Sequence, residues 1–152
     1  MIKESKEEGR VTEDTNLVTA DFKNMYGKMP LNLSKAGVRE NYCQQDGGSD
    51  PKPSTEELME ALDICQENNV FDFGGKLYKQ KQGHATGQKQ APPVACSGAG
   101  RAEKQWLGLP GVSELWKQYG RYIDAILGLF KGNREQCEWV FGQFNSLYPG
   151  HL

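Results

Sequence analysis

Residues 119–130 read Tyr-Gly-Arg-Tyr-Ile-Asp-Ala-Ile-Leu-Gly-Leu-Phe. β-Branched and aromatic residues flank Asp124-Ala125 on both sides, which is typical of two strands joined by a tight turn. The pattern predicts strands over 119–123 and 126–130 that meet at Asp124-Ala125. A hairpin tip holds a carboxylate rigidly while its polar head stays in water, so Asp124 is a candidate functional residue.

A helix is predicted immediately after this hairpin. Asn133 is a good N-cap residue, and Gln136 follows three positions later, as in a capping box. Apolar residues then recur on one helical face, which should pack against the sheet. This stripe consists of Cys137, Val140, Phe141, Phe144 and Leu147.

Upstream of the hairpin, the chain predicts further strands and helices. Leu17–Phe22 indicates a buried strand that ends near Asp21, and the runs 70–73 and 76–79 flank Gly74-Gly75 as in a hairpin. Three helices are predicted: a weak one within 33–43, one over 55–67 that begins with the capping-box residues Ser54 and Glu57, and one in the small-residue stretch that follows 91–95 and extends to Trp106. This order predicts an α+β domain in which helices cover one face of a mainly antiparallel sheet.

The composition limits the class of protein. The chain has 152 residues, which is enough for one domain, and we assign 16–152 to it. Residues 1–15 are charged and nearly devoid of apolar side chains, and are predicted to form a flexible tail. No apolar run approaches a membrane span, and the acidic start does not resemble a signal peptide, so an intracellular protein, nuclear or cytoplasmic, is expected. The formal net charge of −2 disfavours a protein whose only task is to coat nucleic acid.

The cysteines and histidines do not suggest a metal site or a catalytic triad. The four cysteines are widely spaced, without a close pair typical of zinc ligands, and are interpreted as reduced, buried hydrophobic residues. They are Cys43, Cys65, Cys96 and Cys137. His84 and His151 have no acidic or cysteine partner at ligand spacing and are expected in loops.

Asp21 and Asp124 have two interpretations when each is considered alone. Asp21 follows an apolar strand and Asp124 occupies a hairpin turn, and catalytic carboxylates are often found at such positions. The alternative is a helix-capping aspartate at 21 and a turn aspartate at 124.

Three stretches, in this order and spacing, together resemble the palm of a reverse transcriptase, most closely those of Penelope-like and related retroelement polymerases. They are Leu-Val-Thr-Ala-Asp-Phe-Lys-Asn-Met-Tyr at 17–26, Tyr-Lys-Gln-Lys-Gln-Gly-His-Ala-Thr-Gly-Gln-Lys-Gln-Ala-Pro at 78–92, and Arg-Tyr-Ile-Asp-Ala-Ile at 121–126. In that family the first motif has an aspartate after an apolar strand. The second is similar to Tyr-x-Gln-x-x-Gly-x-x-Met-Gly, and the third is a Tyr-x-Asp-Asp turn.

The resemblance implies RNA-directed DNA polymerase activity, with a primed RNA or DNA template and deoxynucleotides as substrates. It implies that Asp21, the backbone carbonyl of Phe22 and Asp124 bind Mg²⁺ or Mn²⁺. Two such ions, about 3.5 to 4 Å apart, stabilise the attacking 3′ oxygen and the leaving pyrophosphate. The residues matching the nucleotide- and template-binding positions are Tyr26, Gln80, Gly83 and Gly87.

The chain departs from the family pattern at several positions. Ala125 stands where the family has its second adjacent aspartate, and Thr86 replaces the usual methionine. Gln88-Lys89-Gln90 replaces a smaller, serine-rich stretch. Because the lost carboxylate would offset metal charge, we expect an impaired or inactive centre.

The fingers and thumb segments of such a polymerase are also not found in this sequence. The chain is therefore expected to be a palm without its neighbouring parts, either a fragment of a longer parent chain or a decayed reading frame.

Two other functions stay open. One is a catalytically inactive palm remnant that binds nucleic acid through a basic stretch containing Lys76, Lys79, Lys81 and Lys89. The alternative interpretation of this stretch is a solvated loop. The other is an α+β protein-interaction domain unrelated to polymerases, in which Asp21 and Asp124 lie far apart.

Overall fold

A computed structural model of the protein describes residues 15–44 and 52–151. The predicted tail, apart from Thr15, and most of the Gly47–Pro53 loop lie outside the described residues. The strands are β1 (Thr15–Asp21), β2 (Val70–Phe73), β3 (Lys76–Lys79), β4 (Trp116–Tyr122) and β5 (Ala125–Lys131). The helices are α1 (Met25–Lys28), α2 (Leu31–Cys43), α3 (Thr55–Glu67), α4 (Ala91–Leu107) and α5 (Arg134–Leu147), with a 3₁₀ turn at Ser113–Leu115.

The described residues cluster into two compact units. Residues 15–23 and 103–151 form the first unit, and residues 24–44 with 52–102 form the second. Both contain an antiparallel sheet, so the predicted α+β class is confirmed. Among the described residues, no helix is long and apolar enough to cross a membrane.

The first unit is built on a three-stranded antiparallel sheet with strand order β1-β5-β4. β1 pairs with β5 from Thr15↔Lys131 to Asp21↔Ala125, and β4 pairs with β5 up to Tyr122↔Ala125. Directly opposed residues share a face of an antiparallel sheet. One face therefore carries Ile126 and Phe130, and the other carries Leu17, Leu127 and Ala125.

Helical residues cover the first of these faces. Trp106, near the end of α4, is fully buried and its ring contacts Trp116, Tyr119, Phe141 and Phe144. Its indole N–H donates to the Val140 carbonyl at 2.8 Å, so this polar group is satisfied inside the core. The aromatic cluster joins α4 and α5 to the covered face of the sheet.

Three sequence-based expectations for this unit need correction. The turn lies at Ile123-Asp124, one residue earlier than predicted, because Ala125 pairs with both Tyr122 and Asp21 and so belongs to β5. β1 is not a buried strand, since Leu17 on its uncovered face is 58% exposed. Leu147 is 43% exposed at the end of the α5 stripe, whereas Val140 and Phe144 are fully buried.

The second unit contains α1, α2, α3, the β2–β3 hairpin and most of α4. The capping box of α3 forms as predicted, with Ser54 accepting from the Glu57 amide and Glu57 accepting from the Ser54 amide. The predicted hairpin is also present, and Gly74 and Gly75 both adopt positive φ angles, which glycine allows at little steric cost. A small core of Met59, Leu62 and Val94 holds α3 against α4.

The prediction that the cysteines are buried is wrong in part. All four lie in the described part of the chain and are free thiols. Cys43 is exposed at the end of α2, and the other three are half-buried. The thiols therefore contribute little to either core.

Candidate metal centre

The two aspartates singled out from the sequence lie side by side at one end of the three-stranded sheet. Asp21 is the last residue of β1 and pairs with Ala125, the first residue of β5. Asp124 immediately precedes Ala125, and its carbonyl accepts a hydrogen bond from the Phe22 amide at 2.9 Å. Opposed Cα atoms in antiparallel strands are about 4.5 to 5.5 Å apart, so the backbones of the two aspartates are close neighbours.

Phe22 anchors this corner of the sheet. It is 3% exposed, and its ring meets Phe144 edge-on with centroids 5.4 Å apart. The Lys23 amide that follows donates to the His151 carbonyl at 2.8 Å. The buried ring fixes the backbone of residue 22, and hence its carbonyl, beside the exposed Asp21 and Asp124.

The sheet face next to these aspartates is open and mainly apolar. It lines a groove of about 720 Å³. Tyr122 is 79% exposed and Leu127 is 42% exposed on this face. An uncovered apolar surface of this kind is typical of a binding face.

Ala125 occupies the decisive position on this open face. It lies directly opposite Asp21 and directly opposite Tyr122, so its methyl group shares a face with the Asp21 side chain. A carboxylate at position 125 would stand next to the Asp21 carboxylate. The alanine itself offers no oxygen donor beside Asp21.

The turn that carries Asp124 is strained. Ile123 has a φ angle of 55°, and a β-branched residue is rarely found in this left-handed region. Such a conformation costs about 1 to 3 kcal/mol and persists only where surrounding contacts hold it. Functional sites are among the places where strain of this kind is found.

A buried ion pair braces this turn. Arg121 Nε donates to Glu103 Oε2 at 2.8 Å, and Arg121 Nη1 donates to the Ile123 carbonyl. The Tyr119 hydroxyl donates to the other Glu103 oxygen. Burial, followed by the Glu103 carboxylate, raises the pKa of Tyr119 well above its ordinary value, so this hydroxyl keeps its proton.

The role of Glu103 was not predicted from the sequence. The residue is only 7% exposed, and a buried carboxylate needs a charged or hydrogen-bonding partner. Glu103 lies in an ordinary helical stretch, and its partners Tyr119 and Arg121 are on a strand. The sequence gives one indication of its burial: Glu103 lies within one helical turn of Trp106, which is buried.

The donor types at the aspartate pair suit a hard divalent cation. Asp21 and Asp124 are exposed carboxylates, and among the described residues neither forms a salt bridge. Within the described ranges, no group of three or more His, Cys, Asp or Glu side chains is positioned to hold a metal. Mg²⁺ is commonly held by one or two protein carboxylates together with substrate phosphates, so the pair and the Phe22 carbonyl fit such a centre.

The predicted nucleotide- and template-binding residues all lie in the second unit, where Tyr26 and Gly83 meet. A Cβ atom on Gly83 would lie 2.3 Å from the Tyr26 carbonyl oxygen, and Gly83 has a φ angle of +70°. The next amide, of His84, donates to the same Tyr26 carbonyl at 2.6 Å. Glycine is therefore required at position 83 because the backbone passes too close to the Tyr26 carbonyl to leave room for a side chain.

The other two predicted residues of this group are placed differently. Gln80 is half-buried, and its side chain donates to the Gln82 carbonyl at 2.8 Å. Gly87 is exposed, and a Cβ atom added to it would have no neighbouring atom within 4 Å. A substituent at Gly87 therefore meets open space.

His84 lies in a loop, as predicted, and is buried, which the sequence did not predict. It is 6% exposed, and its Nε2 lies 2.8 Å from Ser34 Oγ, which is itself fully buried. Burial lowers the pKa of His84, so the neutral ring is favoured. The hydrogen bond with Ser34 satisfies the imidazole inside the core, so the burial of His84 is explained without a metal.

The four candidate nucleic-acid-binding lysines are exposed. Lys76 and Lys79 lie on β3, and Lys81 and Lys89 lie in the segment between β3 and α4. Phe71, Phe73 and Tyr78 on the hairpin are 50%, 72% and 44% exposed. Their rings contact one another, with centroids of Phe71 and Tyr78 5.7 Å apart.

Comparison with known proteins gives a fold but no family. No protein-family model matches the chain, and no curated protein matches it. Among solved structures, it is similar to the apo telomerase of Candida tropicalis truncated from its C-terminal domain, with a TM-score of 0.64 and 14% identity over 99% of this chain and 31% of that one. The apo telomerase of the same organism gives a TM-score of 0.64 and 13% identity, over 93% of this chain and 26% of the other.

A third similar structure is the telomerase of Candida albicans in complex with a fragment of telomeric RNA. It has a TM-score of 0.62 and 14% identity, over 97% of this chain and 28% of the other. This chain thus spans less than a third of each telomerase chain. At this identity the likeness shows the fold alone, which is shared with part of these telomerase chains.

Proposed function

We propose that this chain is a reverse transcriptase palm-like domain of a retroelement, related to the Penelope-like polymerases, with an impaired metal centre. The observation that carries the proposal is the β1–β5 register. It places Asp21 opposite Ala125, the residue that follows Asp124, and so makes the two aspartate backbones close neighbours although more than a hundred residues separate them in sequence. The polymerase-like fold and the exposure of both carboxylates support the same conclusion.

In this proposal the chain's own residues bind and orient a divalent cation. Asp21 and Asp124 supply carboxylate oxygens, and Phe22 supplies its carbonyl. Mg²⁺ or Mn²⁺, when bound, would offset the negative charge on a nucleotide's phosphates and on the primer 3′ oxygen. Ala125 supplies no oxygen, so we expect weak cation binding and slow or absent nucleotide transfer. The proposal implies an intracellular site of action, where RNA and deoxynucleotides occur together.

The first test is Mn²⁺ binding to the wild-type chain, followed by electron paramagnetic resonance. We expect Asp21→Asn and Asp124→Asn each to weaken binding by tenfold or more, because each removes one anionic ligand. Glu60→Gln, which changes an exposed carboxylate on α3, is the matched control. Mn²⁺ binding that neither aspartate substitution weakens would overturn the proposal.

Primer extension on a primed RNA template measures the catalytic part separately. The wild-type chain is compared with Asp21→Asn and with Ala125→Asp, in Mg²⁺ and in Mn²⁺. We expect Ala125→Asp to restore or increase nucleotide incorporation. We expect Asp21→Asn to show none. Incorporation that persists in Asp21→Asn would contradict the assignment of this centre.

A second candidate function is nucleic-acid binding without catalysis. The observation that favours it is the exposed hairpin, on which Phe71, Phe73 and Tyr78 share a face with Lys76 by register. Exposed aromatic rings stack on bases, and nearby lysines neutralise phosphates, so this surface suits a single strand.

Fluorescence anisotropy with a single-stranded RNA oligonucleotide tests this candidate. Each phosphate contact contributes about 0.7 to the slope of log affinity against log salt for single strands. We expect Lys76→Gln to reduce that slope by about 0.7. Lys104→Gln, at an exposed position on α4, is the control. An unchanged slope in Lys76→Gln would show that this face of the hairpin is not the binding surface.

A further inference from the structure

The backbone of the Ile123-Asp124 turn is held from two sides. On one side the Phe22 amide donates to the Asp124 carbonyl at 2.9 Å. On the other, Arg121 Nη1 donates to the Ile123 carbonyl. Both peptide groups around Asp124 are thereby fixed, while the Asp124 side chain itself stays exposed.

Arg121 is fixed in turn by a buried carboxylate. Its Nε donates to Glu103 Oε2 at 2.8 Å, and the side chains of Arg121 and Glu103 are only 14% and 9% exposed. Tyr119 occupies the other Glu103 oxygen. The planar guanidinium bonds Glu103 and Ile123 through different nitrogens, which the single ammonium group of a lysine cannot reproduce.

These contacts lie on the covered face of the sheet, opposite the open face that carries Asp21. Tyr119 and Arg121 oppose Gly128 and Ile126 in register, whereas Asp21 opposes Ala125. By register the side chains of Tyr119 and Arg121 project from the covered face, where they contact Glu103. Their effect on the centre must pass through the Ile123-Asp124 backbone.

We propose that Glu103, Arg121 and Tyr119 are positioning residues that hold the strained Ile123-Asp124 turn and thereby keep Asp124 in place to bind a divalent cation together with Asp21. This inference rests on the proposed function. A left-handed isoleucine relaxes when its clamp is removed, because the unstrained conformation is lower in free energy. Relaxation would move the Asp124 backbone while leaving Asp21 on β1 unchanged.

The test uses Arg121→Lys in the full chain, with Mn²⁺ as the probe and two readouts. We expect the Mn²⁺ dissociation constant to rise about tenfold or more, as is common when the outer support of a metal ligand is lost. In the absence of metal, we expect faster amide hydrogen exchange confined to residues 122–125. Arg134→Lys is the matched control, because Arg134 forms an exposed ion pair with Glu138 on α5.

Glu103→Gln is the second variant. It retains an oxygen acceptor and removes the charge, so it serves if Arg121→Lys fails to give the wild-type circular dichroism spectrum. The expected changes are the same in direction and smaller in size. A folded variant with wild-type Mn²⁺ affinity and wild-type exchange at 122–125 would overturn this inference alone. Mn²⁺ binding by the wild-type chain that is insensitive to Asp21→Asn and Asp124→Asn would overturn the proposed function and this inference with it.

Discussion

Position 125 shows how a single side chain sets the chemistry of the candidate centre. The backbone there is ordinary strand, paired on both sides, and the side chain is an exposed methyl group. The fold therefore tolerates a range of small residues at this position. Alanine supplies no oxygen atom next to Asp21.

We predict that Ala125→Asp lowers stability without a divalent cation and raises it with one. Two carboxylates directly opposite each other on a sheet repel by roughly 0.2 to 1 kcal/mol, and a bound cation removes that repulsion. Urea unfolding with and without Mn²⁺ measures both effects. Ala125→Asn, which has the same shape and no charge, is the control; equal behaviour of the two variants under both conditions would contradict the prediction.

His84 gives a second prediction at the scale of one residue. Burial lowers its pKa below the ordinary value of about 6.5, so at acidic pH the unfolded chain binds a proton that the folded chain binds less readily. The free energy of unfolding should therefore fall as the pH drops below about 6.5, by at most about 1.4 kcal/mol per pH unit from this residue. Urea unfolding at pH 7.5 and pH 5.5 measures the change.

The control for this pH dependence is His84→Gln, which keeps a polar side chain near Ser34 and does not titrate. It should unfold with a smaller difference between the two pH values than the wild-type chain. An identical difference in both proteins would show that the acid sensitivity arises at other groups.

At the scale of elements, the second unit depends on a close contact between two helices. A Cβ atom on Gly37 of α2 would lie 2.2 Å from the Ser97 carbonyl oxygen on α4. On the facing side, a Cβ on Gly98 would lie 2.6 Å from Ser34 Oγ. These glycines allow the two backbones to approach, and Arg101 and Glu40 form an ion pair between the same helices.

We predict that Gly37→Ala destabilises the protein, although alanine normally favours a helix over glycine. The added methyl group meets backbone, which cannot rotate away, and overpacking of this kind costs about 1 to 3 kcal/mol. Thermal unfolding followed by circular dichroism measures the loss. Gly87→Ala, where a methyl group meets open space, should change stability by less than about 0.5 kcal/mol. A Gly37→Ala variant as stable as Gly87→Ala would refute the contact.

At the scale of the whole molecule, the first unit is assembled from the two ends of the described chain. Asn16 on β1 donates to the Gly132 carbonyl, 116 residues away. Phe144 lies at the centre of this assembly, where it is fully buried and contacts both Phe22 and Trp106. Contacts between residues so distant in sequence must supply the free energy that closes the chain.

We predict that Phe144→Ala lowers the free energy of unfolding by about 3 to 5 kcal/mol, because a large cavity forms between segments that no short loop connects. The change should be visible in tryptophan fluorescence, since Trp106, Trp116 and Trp139 all belong to this unit. Leu147→Ala is the control on the same helix, with an expected cost nearer about 1 kcal/mol because Leu147 is 43% exposed. Equal losses in the two variants would contradict the proposed core.

Much of the local structure could be predicted because its causes are local. The capping boxes at Ser54 and Asn133 formed as the spacing indicates, and Gly74-Gly75 turned the predicted hairpin. The four-residue helix Met25–Lys28 was missed, because a single turn leaves no periodic pattern. The turn at Ile123-Asp124 was misplaced by one residue, since nothing in isoleucine favours a positive φ angle.

Capping, turn residues and periodicity act over a few neighbouring residues, so the sequence alone predicted the α+β class, the order of the strands and of the helices longer than one turn, Asp21 at a strand end and Asp124 in a turn. The pairing of β1 with β5 beside Asp124, the exposure of Leu17 and Leu127 on one face of the sheet, and the Glu103–Arg121 ion pair beneath the turn are visible only in the folded chain. These features depend on which distant segments bury each other. Burial and register are properties of the packed chain, and no short stretch of sequence contains them.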